Sequence, residues 1–475
     1  MQKKYLKLGF ITIIGLSLVS CNKNENEVSN IADETDPDYY SKINERVEFD
    51  NTNPLNFSDS FNDGLDENIW YGIDGYWDAG SVTPHNGVRI RNISYTKNGD
   101  ETYLAFRGRG VYNEEDPSTA NLPEGGVIIT QNHLTPGRYE IEMAAFPRFG
   151  GVTAMWTYCS TTGNEATSQN EIDIEIGGGG QYQSQWCTTW TTHTNKQTND
   201  VDVTDILYLN DGKMHTYTFD WYTDYLDTGE GRIDWFIDGH FITQISGPAV
   251  PYEEMPLWVG CWFPSWAGDS RFYDDYMLVK NISFTAFDSS QFYDTCRAYT
   301  SYSRYLPSQM NIQETPYENI ENLNKFSNGD FSKQKEYQEN NYYGWEIDRT
   351  SQGTLEFLTE NNENIVQLNA STTSTDDYHG EYLKQTIGGA YPGFKYNLKV
   401  DARLLNDSAV GNIEIYYKDI GNITLSKEVI PITSTSFNEY TKEITIPENT
   451  VNLEIDFTSE DGSVQYKDAS LVFIK

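Results

Sequence analysis

Three carboxylic acids stand at every second position in Glu171-Ile-Asp-Ile-Glu175, with isoleucines between them and four glycines, 177–180, close behind. Isoleucine is β-branched and favours strands, and a period of two sends successive side chains to opposite faces of a sheet. Glu171, Asp173 and Glu175 therefore share one face. Like charges in a row repel and raise at least one pKa, so the row is either a solvated acidic strand or a site that uses the difference in pKa. The chemistry open to it is attack by one carboxylate and proton donation by another. Cleavage of a glycosidic bond with retention needs two such groups roughly 5–5.5 Å apart. On a flat strand, positions four apart have Cα atoms about 13 Å apart at ~3.4 Å per residue. The two glutamates must then lean inward on a concave sheet, where Asp173 can hold a proton between them and keep their pKa values apart.

The elements that would position this row are strands. From Asn53 to Asp288 the chain reads as short β segments separated by Gly, Pro, Asn and Asp turns, with hardly any helical periodicity, and it is expected to be an all-β sandwich. Candidate strands are Gly137–Phe146, Gly151–Cys159, Glu171–Gly177, Tyr182–Thr192, His215–Tyr222, Arg232–Ile237, Leu257–Phe263 and Tyr276–Phe287. Aromatic residues make up 14% of the chain, with 34 Tyr and 11 Trp. Such rings fill β cores, and exposed ones stack on the C–H faces of sugar rings. Trp156 and Tyr158 point one way on their strand while Met155 and Thr157 point the other, so one aromatic face can lie beside the acids. Trp186 and Trp190 fit core packing or a sugar platform equally well. Trp262 and Trp266 sit in a Pro/Gly loop and read as platform residues. His133 and His193 are lone histidines, for which a structural role leads.

Composition bounds the rest. The 475 residues, 37% hydrophobic and 22% charged, suffice for two domains with separate cores. A formal net charge of -38 excludes nucleic acid as a partner and favours a neutral polysaccharide. Residues 1–20 read as a signal peptide, with a basic start, an apolar run from Leu8 to Val19 and Leu18-Val-Ser-Cys21 at its end. That ending resembles a bacterial lipobox, which implies cleavage before Cys21, lipidation there and a membrane anchor in the outer membrane, displayed at the surface or facing the periplasm. Residues 21–50 form a polar tether. Cys159, Cys187, Cys261 and Cys296 allow up to two disulfides or buried thiols, without metal-ligand spacing. No cofactor is required, a structural calcium ion is left open, and the oligomeric state is not legible. The catalytic sandwich is placed at 51–289, a linker at 290–325 and a second β-sandwich at 326–475.

The acid row resembles the E-x-D-x-E signature of glycoside hydrolase family 16, a jelly-roll family of retaining endo-β-glycanases and transglycosylases. Gly137-Arg-Tyr-Glu-Ile-Glu142, Ala154-Met-Trp-Thr-Tyr158, His215-Thr-Tyr-Thr-Phe-Asp-Trp221, Ile233-Asp-Trp-Phe-Ile-Asp-Gly239 and Cys261-Trp-Phe-Pro-Ser-Trp-Ala-Gly268 resemble its flanking segments in order. Tyr76 and Trp77 resemble a lichenase loop beside the cleft. The resemblance implies Glu171 as nucleophile, Asp173 as assisting acid and Glu175 as general acid/base. The spacing lacks the extra residue of β-bulged members, a form shared with lichenases, so cleavage of mixed-linkage β-glucan is expected. Cleavage of galactans and transglycosylation are the alternatives within the family, and a non-catalytic glycan-binding lipoprotein is the alternative outside it. Phe326-Ser-Asn-Gly-Asp-Phe331, Gly344-Trp345 and Tyr391-Pro-Gly-Phe-Lys-Tyr396 resemble carbohydrate-binding modules of families 4 and 9.

Overall fold

The computed structural model describes residues 48–75, 87–113, 122–160, 169–177, 183–192, 195–225, 230–288, 296, 302–347, 353–371 and 380–475. The signal segment, Cys21, the tether, Tyr76, Trp77 and His193 lie outside the described residues. The protein is all-β apart from a few short helical turns.

The first sandwich has an eight-stranded sheet in the order Asn195–Asp202, Ser184–Thr192, Gln169–Gly177, Val152–Ser160, Leu257–Trp262, Gly126–Thr130, Trp70–Asp74 and Ser303–Tyr305. It packs on a nine-stranded sheet whose centre is formed by His215–Tyr225, Gly137–Ala144 and Asp274–Ala286. Alternation along the strands builds the core between them. Ile172, Ile174 and Ile176 turn inward with Met155, Cys187 and Val259, and meet Tyr217, Phe219 and Trp235 from the opposite sheet. The Trp235 indole N–H crosses the core and donates to the backbone carbonyl of Asp173 at 3.1 Å. This satisfies a buried indole that would otherwise be costly.

Cys159 and Cys296 form a disulfide, and Cys187 and Cys261 remain buried thiols. Of the stretch expected as a linker, residues 296 and 302–325 are described; most of these are built into the first sandwich, whereas Asn324 and Lys325 already pair with Val472 and Leu471 of the second. Ser303–Tyr305 pairs with Trp70–Asp74, Gln313–Glu314 runs parallel to Ile93–Asn98, and the turns Pro307–Met310 and Tyr317–Glu321 bury Met310 and Ile320. The burial of these two apolar side chains, one in each turn, explains why the stretch does not hang free. At its end Lys325 donates to Asp275 at 2.7 Å, and Arg148 donates to the same oxygen at 2.8 Å.

The second sandwich pairs a six-stranded sheet, including Glu381–Gly388, Asn452–Asp461 and Val410–Lys418, with a five-stranded sheet centred on Ser463–Ile474 and Lys395–Leu404. Its own core gathers Phe326, Phe331, Trp345, Leu383 and Phe457. Trp345 is held by an indole hydrogen bond to Asn328 O at 3.1 Å.

Candidate active site

The acid strand Gln169–Gly177 is flanked on both sides by antiparallel neighbours, and no register shift interrupts either pairing at the three acids. Glu171 lies opposite Tyr158 and Trp190, Asp173 opposite Trp156 and Thr188, and Glu175 opposite Ala154 and Trp186. The regular pleat puts all three carboxyls on the outer face, away from the isoleucine core. Beyond them, on the same face, Trp258 pairs with Trp156 and Trp262 with Val152. Gly260 separates these two tryptophans, and a Cβ there would lie 2.0 Å from the carbonyl oxygen of Gly126, so the floor between the indoles has no room for a side chain.

Asp173 is only 4% exposed, while Glu171 and Glu175 are half-buried. Burial first, then the negative charges of Glu171 and Glu175, raise the Asp173 carboxyl well above the usual range, against a hydrogen bond from the Trp190 indole. Burial pushes Glu175 up to about 7, with the positive charge of Lys196 acting in the other direction. Glu171 accepts a hydrogen bond from the Gln169 side-chain amide. Lys196 stands over the Trp190 ring, 4.4 Å from its centroid. The arrangement can hold one proton on a central acid and a second on Glu175 near neutrality, beside a carboxylate supported by a neutral donor.

The aromatic candidates fall into two groups along this face. Near Glu175, Trp186 meets Trp266 edge-on at 5.1 Å, and Trp266 meets Trp262 at 6.0 Å. Trp266 is 49% exposed, so its ring is open to a ligand. Towards Glu171, Trp156 stacks on Trp258 at 5.5 Å, and Tyr158 meets Trp258 edge-on at 6.1 Å. Trp186 and Trp190 are half-buried on the acid face rather than in the inter-sheet core. His133 lies 3.9 Å from Glu254, and burial, with the charge of Arg304, lowers its pKa.

Sequence reasoning passed over Trp258, Tyr71, Tyr302, Arg304 and Lys196. Trp258 carried a usable signal, because it stands four residues before Trp262 and so shares its face on a strand. Tyr302 and Arg304 carried none, since a three-residue strand is too short to show a period. Among the described residues, the one group of three His, Cys, Asp or Glu ligand atoms at metal-binding separation is Cys159, Glu253 and Cys296. Both of its sulfurs are spent in the disulfide, so this set does not fit a calcium ion.

Residues 82–275 match the family model for glycosyl hydrolases family 16. A xylanase/beta-glucanase of Ruminococcus flavefaciens is 29% identical over 157 residues, which span 32% of this chain and 18% of that protein. Two solved structures were matched over 48% of this chain. A prokaryotic β-1,3-1,4-glucanase (lichenase) from a mouse hindgut metagenome is 19% identical, with 98% of its length covered and a TM-score of 0.37. The β-glucanase of Bacillus licheniformis is 20% identical, with 97% covered and a TM-score of 0.38. On the family match, residues 82–275 are a glycoside hydrolase family 16 domain.

Proposed function

We propose that the protein is a retaining endo-β-glycosidase that cleaves a β-glucan, with mixed-linkage β-1,3-1,4-glucan as the first substrate to try. One observation carries the reading: three carboxyls share the outer face of one strand between aromatic neighbours, where burial raises Glu175 to about 7 and Asp173 well above the usual range. Glu171 attacks the anomeric carbon as Glu175 protonates the departing oxygen. Glu175 then takes the proton of a water that releases the sugar from Glu171. Asp173, its carboxyl raised by burial and by the charges of Glu171 and Glu175, hydrogen-bonds Glu171 and so tunes the nucleophile. Following the anomeric configuration of the first product by proton NMR, together with linkage profiling over a panel of β-glucans and galactans, tests this. A β-glucan product with inverted configuration would falsify the mechanism, and cleavage of galactans alone would replace the substrate.

The second sandwich is read as a glycan-binding module that raises the local concentration of the catalytic domain on a polymer. In support, the outer face of its six-stranded sheet carries Tyr382, Tyr416, Glu414, Glu454 and Asp456 on adjacent strands. Lipidation at Cys21 would hold both sandwiches at a bacterial outer membrane. Among the described residues no helix is long and apolar enough to cross a membrane. Recovery of a Cys21→Ser protein in the membrane fraction would count against the anchor.

A further inference from the structure

The last strand of the acid-bearing sheet comes from outside the family-matched residues. Ser303–Tyr305 pairs antiparallel with Trp70–Asp74 and sets Arg304 opposite Ile73. Ile73 and Tyr71 belong to a buried cluster on the acid-bearing face of the sheet that also contains Trp156 and Trp258, and the half-buried Tyr302 packs against it. The Tyr302 ring meets Trp258 edge-on at 6.3 Å, and the exposed Arg304 guanidinium lies 4.5 Å from the centroid of Tyr71. The strand is held from both sides. Upstream, Cys296 is bonded to Cys159, the residue after Tyr158. Downstream, Met310 is pressed so closely on the neighbouring strand that a Cβ at Gly72 would come within 2.7 Å of its methyl carbon.

An arginine on a sheet edge can serve merely to discourage edge-to-edge pairing. Arg304 differs from such a residue in lying over an aromatic ring on the same face as the acid row, in line with Trp258 and Tyr302. Five strand spacings of ~4.8 Å separate it from the acid strand, about 24 Å across the sheet. A polymer laid across the strands reaches that distance several sugar units from the cleaved bond.

We propose that Arg304 and Tyr302 form a distal subsite that grips a neutral pyranose of the polymer, with the buried Tyr71 ring supporting the guanidinium from below. The half-buried Tyr302 ring takes the C–H face of the sugar, and the guanidinium fork donates to neighbouring hydroxyls. A neutral sugar is favoured over a uronic acid because the chain's net charge of -38 and the acid row oppose entry of a polyanion. The inference rests on the glycosidase reading for its substrate, but not for its test.

In the full chain carrying Glu171→Gln, calorimetry with β-glucan oligosaccharides of increasing length reads binding without turnover. Adding Arg304→Ala or Tyr302→Ala should weaken binding of long oligosaccharides by about tenfold and leave the shortest within about twofold. With Glu171 intact, the same variants should raise KM on long substrates and leave kcat unchanged, as for loss of uniform binding. Equal loss at all lengths, or no loss on long ones, overturns the subsite. A larger loss on carboxylated than on neutral polymers overturns its neutral class. If the protein with Glu171 intact cleaves nothing while the length-dependent binding persists, the glycosidase reading fails and the subsite stands.

Discussion

Both sandwiches carry a trio of carboxyls on an outer sheet face, and the two trios are handled in opposite ways. In the second sandwich Glu454 accepts from Lys418 at 2.6 Å and Glu414 pairs with Lys427 at 2.7 Å. Asp456, 7% exposed, lies between them, and burial followed by the charge of Glu454 raises its carboxyl to about 8. In the first sandwich the buried middle acid is likewise raised, but Glu171 meets a neutral amide, and Lys196 is stacked on Trp190 and acts on Glu175 through space. Three lysines, with Lys384 also 3.9 Å from Glu454, thus neutralise the flanking acids in one trio, whereas the other keeps its electrostatic tension. A compensated trio is a stable polar surface; a tensioned one is a set of groups ready to exchange protons and attack.

The largest effect should come from the flanking acids. Glu171→Gln should bring turnover below detection, and Glu175→Gln should lower kcat by about 10²–10⁴, the usual contribution of a general acid. Both variants should fold, as judged by circular dichroism. Glu454→Gln, the matching change on the other face, should leave kcat on soluble oligosaccharides within about twofold. A comparable loss there would erase the contrast.

A middle-sized effect belongs to the groups that tune the pair. Asp173→Asn should reduce kcat by roughly 10- to 100-fold without abolishing it, since it changes the field and not the reacting groups. Glu175 must carry its proton to act as an acid, so kcat/KM should fall as pH rises through about 7. Lys196→Met removes a positive charge that holds the Glu175 pKa down, and should move that alkaline limb upward. A limb that stays in place would mean that another group sets it.

The smallest effect should be thermal. Asp456 titrates near 8 in the fold against 3.8 unperturbed. Its stabilising contribution is therefore complete at low pH and is lost as pH rises from about 4 through about 8. Asparagine has no proton to lose, so the advantage of Asp456→Asn in melting temperature should grow over that window to a few degrees. A constant difference across pH would show that burial of Asp456 is not the cause.

The first trio was legible because it lies on one strand, where alternation with isoleucine fixes the face. The second was not. Glu414 and Asp456 are cross-strand neighbours more than forty positions apart in sequence, and no local period connects them. The same limit hid the partner of Cys159, which is 137 residues away. Residues 302–325 looked like a linker because their Tyr, Ser and Asn content resembles loop composition, while the features that fix them, Met310 in a turn and three residues of pairing, are below the length at which a pattern shows. The strands Val152–Ser160 and Leu257–Trp262 were readable to within a residue or so. What escaped on the latter was Trp258, whose face follows from counting back from Trp262.

The indole of Trp235, anchored on the carbonyl of Asp173 from the far sheet, ties the acid-bearing strand to the deepest layer of the sandwich. Slow amide exchange at Ile172 and Ile174 should therefore match that of the core strands. Heat inactivation should coincide with global melting instead of preceding it, so this centre has no separate, softer way to fail.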